Sequence, residues 1–406
     1  MPGARHPGTT SILKSVRILL DYRPALRERS GVGEYAHELA KALLLLFPSD
    51  RSQLALTLFS SSWTDRLRLD HDLEAAATVD RRMPVRLLNL LWHRLEWPNV
   101  ETMTRERFDV THSLHPLLMP TRHAAQVVTI HDLNFLSHPE RARAEIRRDY
   151  PSLVRAHARR ADRIIVNSRF TAHEVEERLA VPADRIAICP PGAPSWTPRP
   201  SPPNGAGYIL FFGTLEPRKN VGGLLDAYER LLARASPTSG TLPELVLAGG
   251  TTSESLPWLQ RITERPLRNA VRYVGYVDPS SRRALYEGAR LLVQPSFEEG
   301  FGLPVLEAMT LGVPVVASNR GALPEVLGDA GLLVNPEDPE AMASAIDQML
   351  NDGSLAIAAA AKGVLRARRF TWEQTARAVY ETYGLAIASR NERSGHRPGS
   401  RPLRGR

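Results

Sequence analysis

Short runs of apolar residues alternate along most of the chain with longer segments in which apolar residues recur every three or four positions. The first run, residues 16–20, predicts a buried strand, and the segment 34–47 predicts a helix with one buried face. The pattern also predicts a long helix at residues 142–161 and short strands at residues 54–59, 110–112, 127–130 and 164–167. Strands that alternate with helices are typical of a parallel sheet covered by helices on both faces.

The alternation stops at a proline-rich segment and then resumes. Residues 194–203 contain five prolines, which cannot continue a helix or a sheet ladder. Beyond them, strands are predicted at residues 208–212, 244–248, 271–273, 290–293 and 313–317, and helices at residues 224–233, 282–288 and 372–388. We therefore predict an α/β fold of two Rossmann-like domains, residues 16–193 and 204–370, which face each other across a cleft. Ligands of such sheets bind at the C-terminal ends of the strands.

The composition fits two globular domains. The chain has 406 residues, of which 43% are hydrophobic and 24% charged, and it is too long for one ordinary core. It contains no run of about 18 apolar residues that could cross a membrane, and residues 1–14 lack the apolar centre of a signal peptide. The single cysteine, Cys189, excludes an internal disulfide framework and a cysteine-ligated metal cluster. These features predict a cytoplasmic protein.

The net charge of +8 is concentrated in two regions. Residues 390–406 hold six arginines and one glutamate, so a disordered tail at residues 389–406 is predicted beyond a final helix at residues 371–388. Residues 141–163 hold eight arginines against three acidic residues. This second run fits either a solvated helix face or a patch for anionic lipid. It lacks the interleaved aromatic residues of nucleic-acid-binding segments, so no nucleic-acid partner is predicted.

Residues 87–103 combine apolar and aromatic side chains and allow two interpretations. They fit a core helix of the first domain. Together with the arginines of residues 141–163, they also fit a surface that rests on a membrane carrying a lipid-linked acceptor. The second interpretation would place the protein peripherally at the inner face of the cell membrane.

Two carboxylates, Glu299 and Glu307, flank a glycine-containing loop that is predicted to open a helix after the strand at residues 290–293. Gly300 and Gly302 allow backbone conformations and close approaches that other residues resist. The free N–H groups at such a helix start attract phosphate. The segment therefore predicts a cradle for a phosphorylated sugar.

Two adjacent cations, Arg218 and Lys219, follow the first predicted strand of the second domain. Cations at the C-terminal end of a strand suit the binding of a pyrophosphate, although a solvated charged loop is the alternative. In the first domain, Gly31 and Gly33 allow backbone amides at a helix start to approach a phosphate, with a plain helix start as the alternative. About ten residues separate Gly31 from the preceding strand, which argues against a nicotinamide cofactor site.

His131 follows the predicted strand at residues 127–130 and would face the cleft. A histidine in this position can donate to a substrate hydroxyl or stabilise a developing charge, whereas the alternative is a turn-capping pair with Asp132. No other His, Cys or Asp residues have metal-ligand spacing, so no metal is predicted. Ser168 lacks the flanking glycines of a hydrolase nucleophile and is predicted to cap the next helix.

Taken together, residues 16–388 resemble the family-4 retaining glycosyltransferases, in the mannosyltransferase-like branch. The resemblance rests on the spacing of Glu299 and Glu307 and on four segments, residues 130–135, 213–220, 296–304 and 312–318. It implies the GT-B architecture of two Rossmann-like domains, with a C-terminal helix that crosses back to the first domain. The first predicted domain would then face the acceptor, and the second would bind a nucleotide-sugar donor.

The resemblance also assigns roles to individual residues. It implies two catalytic residues, His131 beside the transferred sugar and Glu299 at the hydroxyls of the donor hexose. It implies that Glu307 binds the ribose, and that the other donor contacts come from Gly33, Arg218, Lys219, Phe301, Gly302 and Leu303. The two cations would hold the diphosphate. One departure from the family pattern is Thr214, which stands where many relatives have an arginine.

The implied reaction moves a hexose, with mannose favoured, from a nucleoside-diphosphate sugar to a glycan or lipid-linked acceptor with retention of configuration. GDP-mannose is the first expected donor and a UDP-hexose the second. No second carboxylate is placed to attack the anomeric carbon, so front-face attack is expected, with neither a cofactor nor a metal. Two alternatives share the fold, a catalytically silent sugar-nucleotide-binding protein and a nucleotide-sugar epimerase.

Overall fold

The computed structural model describes residues 15–26, 29, 31–47, 53–137, 144–203, 207–234, 242–393 and 395. In the first half, the strands are β1 (Val16–Asp21), β2 (Leu54–Ser61), β3 (Ala77–Arg81), β4 (Val110–Ser113), β5 (Ala125–Ile130), β6 (Arg163–Val166) and β7 (Ile186–Ile188). They form one parallel sheet in the order β3-β2-β1-β4-β5-β6-β7. The strand order reverses between β1 and β4, which is where sheets of this kind open a crevice for ligands.

The second half repeats this plan. Its described strands are β8 (Tyr208–Phe212), β9 (Glu244–Ala248), β10 (Val271–Gly275), β11 (Ala289–Gln294), β12 (Val315–Ser318) and β13 (Leu332–Val334). They form a second parallel sheet in the order β10-β9-β8-β11-β12-β13, with the reversal between β8 and β11.

Helices cover both sheets. In the described residues they are α1 (Val32–Leu46), α2 (Val85–Leu95), α3 (Val100–Thr104), α4 (Asn134–Ser137), α5 (Ala144–Arg160), α6 (Arg169–Leu179), α7 (Val221–Arg234), α8 (Leu256–Arg261), α9 (Pro279–Glu287), α10 (Leu303–Leu311), α11 (Leu323–Leu327), α12 (Pro339–Asn351), α13 (Gly353–Ala367) and α14 (Trp372–Arg393). None of these described helices is both long and apolar enough to span a membrane.

The strands bury side chains on both faces of each sheet. In β1, Ile18 and Leu20 belong to the core that includes α1, whereas Leu19 belongs to a separate core with Phe59 and Trp92. Burial on both faces explains why the strands appear in the sequence as continuous apolar runs rather than as alternating patterns.

The C-terminal helix α14 returns to the first domain. Its residues Val379 and Tyr383 are part of the core beneath α1, and the Tyr383 hydroxyl forms a 2.8 Å hydrogen bond with Nδ1 of His112 in β4. The predicted α/β fold, with two Rossmann-like domains and a returning C-terminal helix, is therefore confirmed.

Two predicted segments are only partly covered by the described residues. Helix α14 continues to Arg393, five residues into the range that was predicted as a disordered tail, and residues 396–406 of that tail lie outside the described residues. In the arginine-rich run, residues 141–143 and the side chains of residues 144–149 also lie outside the described part of the chain.

Candidate active site

A cavity of about 340 Å³ lies between the two domains at the C-terminal ends of their strands. Eight of the nine predicted site residues line it, namely His131, Arg218, Lys219, Glu299, Phe301, Gly302, Leu303 and Glu307. The ninth, Gly33, is buried in the first turn of α1 and is not among the lining residues. Gly31 lines the cavity instead, as the N-cap of α1 with a φ of 52° that favours glycine.

Glu299 is held by the two cations that the sequence predicts as a diphosphate clamp. Lys219 forms an ion pair with Oε1 of Glu299, and Arg218 donates to Oε2 at 3.3 Å. Ser296 and Gln294 also donate to Oε1, at 2.9 Å and 3.1 Å. The side chain predicted to meet hexose hydroxyls is thus bound by protein donors, and it fixes both cations at the cavity wall.

These contacts determine the ionisation of Glu299 and Arg218. Burial by itself would raise the pKa of Glu299, but the charges of Lys219 and Arg218 lower it to about 2. Burial also opposes the charge of Arg218, whereas Asp132, Glu299 and Glu216 raise the pKa of its guanidinium above the ordinary value. The Nε of Arg218 lies 2.7 Å from Glu216 Oε1. Glu299 and Arg218 are therefore ionised at neutral pH.

The loop that carries the cations is fixed by Asn220. A short helical turn, Pro217–Lys219, follows β8 and ends at Asn220, whose φ is 57°. The amide of Asn220 donates to the carbonyls of Pro295 at 3.2 Å and Pro336 at 2.7 Å. Because Pro295 precedes the loop of Glu299, these bonds hold the cations and the carboxylate in register.

Glu307 lies in a second charged cluster, which joins the two domains. Arg282 of α9 donates to Glu307 Oε1 at 3.0 Å and lies 3.6 Å from Glu34 of α1. The same guanidinium donates to the backbone carbonyl of Arg29 at 2.9 Å and lies 5.8 Å from the centre of the Phe212 ring. Arg282 therefore connects the predicted ribose carboxylate to the glycine loop of the first domain.

Burial dominates the titration of Glu307. It raises the pKa of this carboxyl above the ordinary value of 4.5, and Glu34 adds to the increase, whereas Arg282 opposes it. Burial opposes the charge of Arg282, but the nearby carboxylates Glu307 and Glu34 raise its pKa above the ordinary value. Among the described residues, Arg282 is the cation that is paired with Glu307, and it also lies beside Glu34.

Both ring nitrogens of His131 are bound to protein groups. The Asn167 side chain donates to Nδ1 at 2.9 Å, and Nε2 donates to the Leu114 carbonyl at 3.2 Å, which fits the neutral tautomer. Burial lowers the pKa of His131 to about 4, although Asp132 and the Leu114 carbonyl oppose this change. Donation to a substrate hydroxyl would require one of these bonds to be exchanged, so the catalytic assignment of His131 stays a prediction.

The start of α10 faces the same cavity. Gly302 is its N-cap with a φ of 109°, and the helix begins at Leu303, so Pro304 is its second residue. Pro304 has no N–H, and those of Val305 and Leu306 bond the Gly302 carbonyl. At the first helical position the N–H of Leu303 has no intrahelical acceptor, and it can serve an anionic ligand.

Close backbone contacts hold the two domains together beside the cavity. A Cβ on Gly300 would lie 1.7 Å from the carbonyl oxygen of His131, so only glycine fits there. Thr171 of the first domain donates to the Gly300 carbonyl at 3.3 Å. Glu325 of the second domain accepts from the N–H of Arg169 at 3.0 Å, at the start of α6.

Sequence reasoning missed several cavity residues, chiefly Arg282, Tyr35 and Asn167. Asn167 directly follows β6, and the rule that selected His131 after β5 would have selected it as well. Arg282 lies within a helix, among several other arginines of the chain, and no spacing in the sequence marks it.

One described group of side chains has the geometry of a metal site. Ligand atoms of His37, Asp70 and Asp72 lie within 4.8 Å of one another. Lys41 lies 3.1 Å from Asp72, and Arg29 lies 3.0 Å from Asp70. Because protein cations already bind both carboxylates, this group is better explained as a network of ion pairs.

Two family descriptions match the chain. Residues 29–195 match the family described as Glycosyltransferase Family 4, and residues 206–352 match the one described as Glycosyl transferases group 1. The O-antigen chain mannosyltransferase B of Escherichia coli is 32% identical over 390 residues, which cover 91% of this chain and 100% of that protein. The D-inositol 3-phosphate glycosyltransferase of Corynebacterium urealyticum is 32% identical over 270 residues, 62% of each chain.

Solved structures share the two-domain architecture. Sucrose-phosphate synthase from Thermosynechococcus elongatus has a TM-score of 0.72 at 21% identity, covering 92% of this chain and 100% of that chain. The Anabaena protein HepE, solved in complex with UDP and glucose, has a TM-score of 0.66 at 18% identity, covering 91% and 99%. At these identities the likeness concerns the fold.

Proposed function

The chain belongs to glycosyltransferase family 4, and from this premise we propose that it transfers mannose from a nucleoside-diphosphate donor to a glycan or lipid-linked acceptor. GDP-mannose is the donor that we favour, and a UDP-hexose is the second choice. The name of the E. coli relative refers to an O-antigen chain, which supports a polysaccharide acceptor.

One observation carries this proposal: Arg218, Lys219, the start of α10 and Glu307 line a single cavity between the domains. Two cations and a helix start are the groups that bind a diphosphate. In the same cavity, Glu307 can accept hydrogen bonds from the two ribose hydroxyls. The cavity therefore offers complementary groups to both polar parts of a nucleoside diphosphate.

The cations would also stabilise the leaving group in the reaction. When the bond between the anomeric carbon and the diphosphate oxygen breaks, positive charge develops on the sugar ring and negative charge on the leaving group. Arg218 and Lys219 are already fixed by Glu299, so they stabilise the leaving diphosphate without reorganising. We propose that they do so without a metal ion.

The stereochemical course would be retention by front-face attack. The acceptor hydroxyl approaches the anomeric carbon from the side of the departing diphosphate and forms the new C–O bond as the old one breaks. Its proton passes to the departing phosphate oxygen, so the step balances without a protein base. In this scheme Glu299 positions the cations, and Glu307 binds the ribose.

Two linked experiments test the proposal. A thermal-shift panel of nucleotide-sugars should show the largest stabilisation with GDP-mannose, because a bound donor stabilises the folded state. Nucleoside diphosphate release is then measured with and without mannan fragments and lipid-linked saccharides. Release that depends on an acceptor, with the α-configuration kept in the product, supports transfer. Binding without release would instead support a silent binding protein, and an altered donor sugar without release would support an epimerase.

A further inference from the structure

Helix α6 of the first domain begins with backbone donors that need partners from outside the helix. The first N–H groups of an α-helix have no acceptor within it. In α6, the side chain of the N-cap Ser168 accepts from the N–H of Thr171 at 3.0 Å, and the Ser168 carbonyl accepts from that of Ala172. This cap does not bind the N–H groups of Arg169 and Phe170, which stand at the first two helical positions.

Glu325 of the second domain accepts from both of these donors. Its Oε1 lies 3.0 Å from the backbone nitrogen of Arg169, and its Oε2 lies 3.4 Å from that of Phe170. A carboxylate at the start of a helix also interacts favourably with the positive end of the helix dipole. A helix of the first domain is therefore capped by a side chain that lies 156 residues after Arg169, in the other domain. We call this the Glu325 contact.

The start of α6 also holds His131 at the wall of the cavity. Asn167 directly precedes the N-cap Ser168, and its amide donates to Nδ1 of His131 at 2.9 Å. The hydroxyl of Thr171, in the first turn of α6, lies 3.4 Å from the His131 carbonyl oxygen and 3.3 Å from that of Gly300. Both the ring and the backbone of His131 are thus bound by this segment. A displacement of the first turn of α6 would therefore move His131.

Glu325 lies on a helix that is fixed to the backbone of Glu299. Just before α11, the N–H of Ala322 donates to the Glu299 carbonyl at 2.9 Å. A Cβ on Gly321 would lie 2.7 Å from the same carbonyl oxygen, so this close approach requires glycine. Toward the other end of α11, Arg366 donates to the Glu325 carbonyl at 2.6 Å. Helix α11 therefore joins the backbone of Glu299 to the first turn of α6.

We propose that Glu325 is a positioning residue, which sets His131 of the first domain against Glu299 of the second. It holds α6 to α11 and so fixes the separation of these two side chains across the cavity. Glu325 is not among the residues that line the cavity, so it acts through His131 and not on the donor. The effect on the reaction rests on the proposed function, whereas the contact itself can be tested without a substrate.

Hydrogen exchange of the full-length protein, resolved to single amides, tests the Glu325 contact. In the wild type, the N–H groups of Arg169 and Phe170 should exchange slowly because Glu325 binds both. Glu325→Ala should speed their exchange by about tenfold or more, because hydrogen bonds to a charged acceptor are lost. Glu325→Gln should have a smaller effect, since its amide keeps one acceptor oxygen. Wild-type exchange in strand β8 should show that the variants fold.

Kinetics and calorimetry test the effect on the reaction. In Glu325→Ala, kcat for acceptor-dependent release of nucleoside diphosphate should fall by about tenfold, because a displaced His131 no longer faces the transferred sugar correctly. Donor affinity should stay close to the wild-type value, because the proposed diphosphate and ribose contacts all lie in the second domain. Glu325→Gln should recover part of the lost kcat. A loss confined to kcat is the result that positioning predicts.

The matched control is Asp352→Ala, which removes a carboxylate that caps a helix within one domain. Asp352 accepts from the N–H of Leu355 at 2.9 Å, at the start of α13. This variant should leave kcat and the exchange of residues 169 and 170 unchanged.

The proposal is overturned if residues 169 and 170 exchange equally fast in the wild type and in Glu325→Ala. It is equally overturned if Glu325→Ala keeps the wild-type kcat, or if it weakens donor binding with kcat unchanged. If the wild type turns over no nucleotide-sugar, the proposed function fails. Slower exchange in the wild type than in Glu325→Ala would then still support the Glu325 contact.

Discussion

Glu299 and Glu307 lie on the same loop and helix start and are each 6% exposed. Their pKa values are nevertheless shifted in opposite directions. The pKa of Glu299 is lowered to about 2, whereas the pKa of Glu307 is raised. The difference lies in the cations. Glu299 binds both Lys219 and Arg218, but Glu307 shares Arg282 with Glu34.

The contrast shows that similar burial permits two different roles. A carboxylate with two cations is fully compensated, so Glu299 serves as an anchor that aims the cations at the cavity. A carboxylate with a shared cation is undercompensated, so Glu307 can accept further hydrogen bonds. Under the proposed function, Glu299 would be the positioning group of the pair, and Glu307 would be the group that binds the ligand.

The two carboxyls also affect stability in opposite ways. Because the pKa of Glu299 is lowered, its contribution to the free energy of unfolding is present above its ordinary value of 4.5 and is lost as pH falls toward about 2. Because the pKa of Glu307 is raised, its contribution is largest when it is protonated and decreases as pH rises through its folded-state pKa.

The largest expected effect comes from removing the cations that Glu299 anchors. The variant Arg218→Ala/Lys219→Ala should lower the rate of transfer by about 10²–10³-fold, because the leaving diphosphate loses its preorganised charges. The rate is measured as acceptor-dependent release of nucleoside diphosphate. Arg320→Ala/Lys362→Ala removes two exposed cations of the same domain and should leave the rate unchanged. Wild-type turnover in the first variant would show that these cations are not the clamp.

Removal of Glu307 should have a smaller effect that appears in binding. Glu307→Ala should weaken donor affinity by about 10–100-fold, the value of hydrogen bonds to a charged acceptor. Calorimetric titration with the donor measures this loss, and Glu337→Ala, at an exposed carboxylate of the same domain, is the control. An unchanged dissociation constant would remove Glu307 from the donor site.

The smallest effect is expected at Arg282, which positions Glu307. Arg282→Met should weaken donor binding at neutral pH by about three- to tenfold. In a plot of donor affinity against pH, affinity falls on the acid side as Glu307 is protonated. Arg282→Met should move this acid limb to higher pH, because loss of the cation raises the pKa of Glu307 further. Donor affinity measured across pH gives both quantities. Arg282→Lys should return the limb toward the wild-type position, and a limb that stays fixed in Arg282→Met would mean that Arg282 has no such role.

Much of the fold could be predicted because parallel strands buried on both faces appear as apolar runs. Strand β8 matches its predicted range of residues 208–212, and β9 matches 244–248. Strands β3 and β13 were not predicted. β3 has the sequence ATVDR, which contains no apolar run, and β13 is an apolar run of only three residues, which is too short to indicate a strand by itself.

The candidate site also contains residues that could be predicted from the sequence and residues that could not. Glu299, Glu307, Arg218 and Lys219 lie in ordered motifs at strand ends, where sequence position alone places them near a cleft. Arg282 acts through a contact between domains, and its partner Glu34 is almost 250 residues earlier in the chain. A pairing of that separation depends on how the domains close, which local patterns in one sequence do not encode.

The most direct measurement compares binding of a nucleoside diphosphate with binding of the same nucleoside without phosphates. Calorimetry on Arg218→Ala/Lys219→Ala should show at least a tenfold loss of affinity for the diphosphate and wild-type affinity for the nucleoside. Glu307→Ala should lose affinity for both ligands, because both contain the ribose. The account is contradicted if the two variants lose affinity for the two ligands in the same proportion. The cations would then not bind the diphosphate separately from the ribose that Glu307 binds.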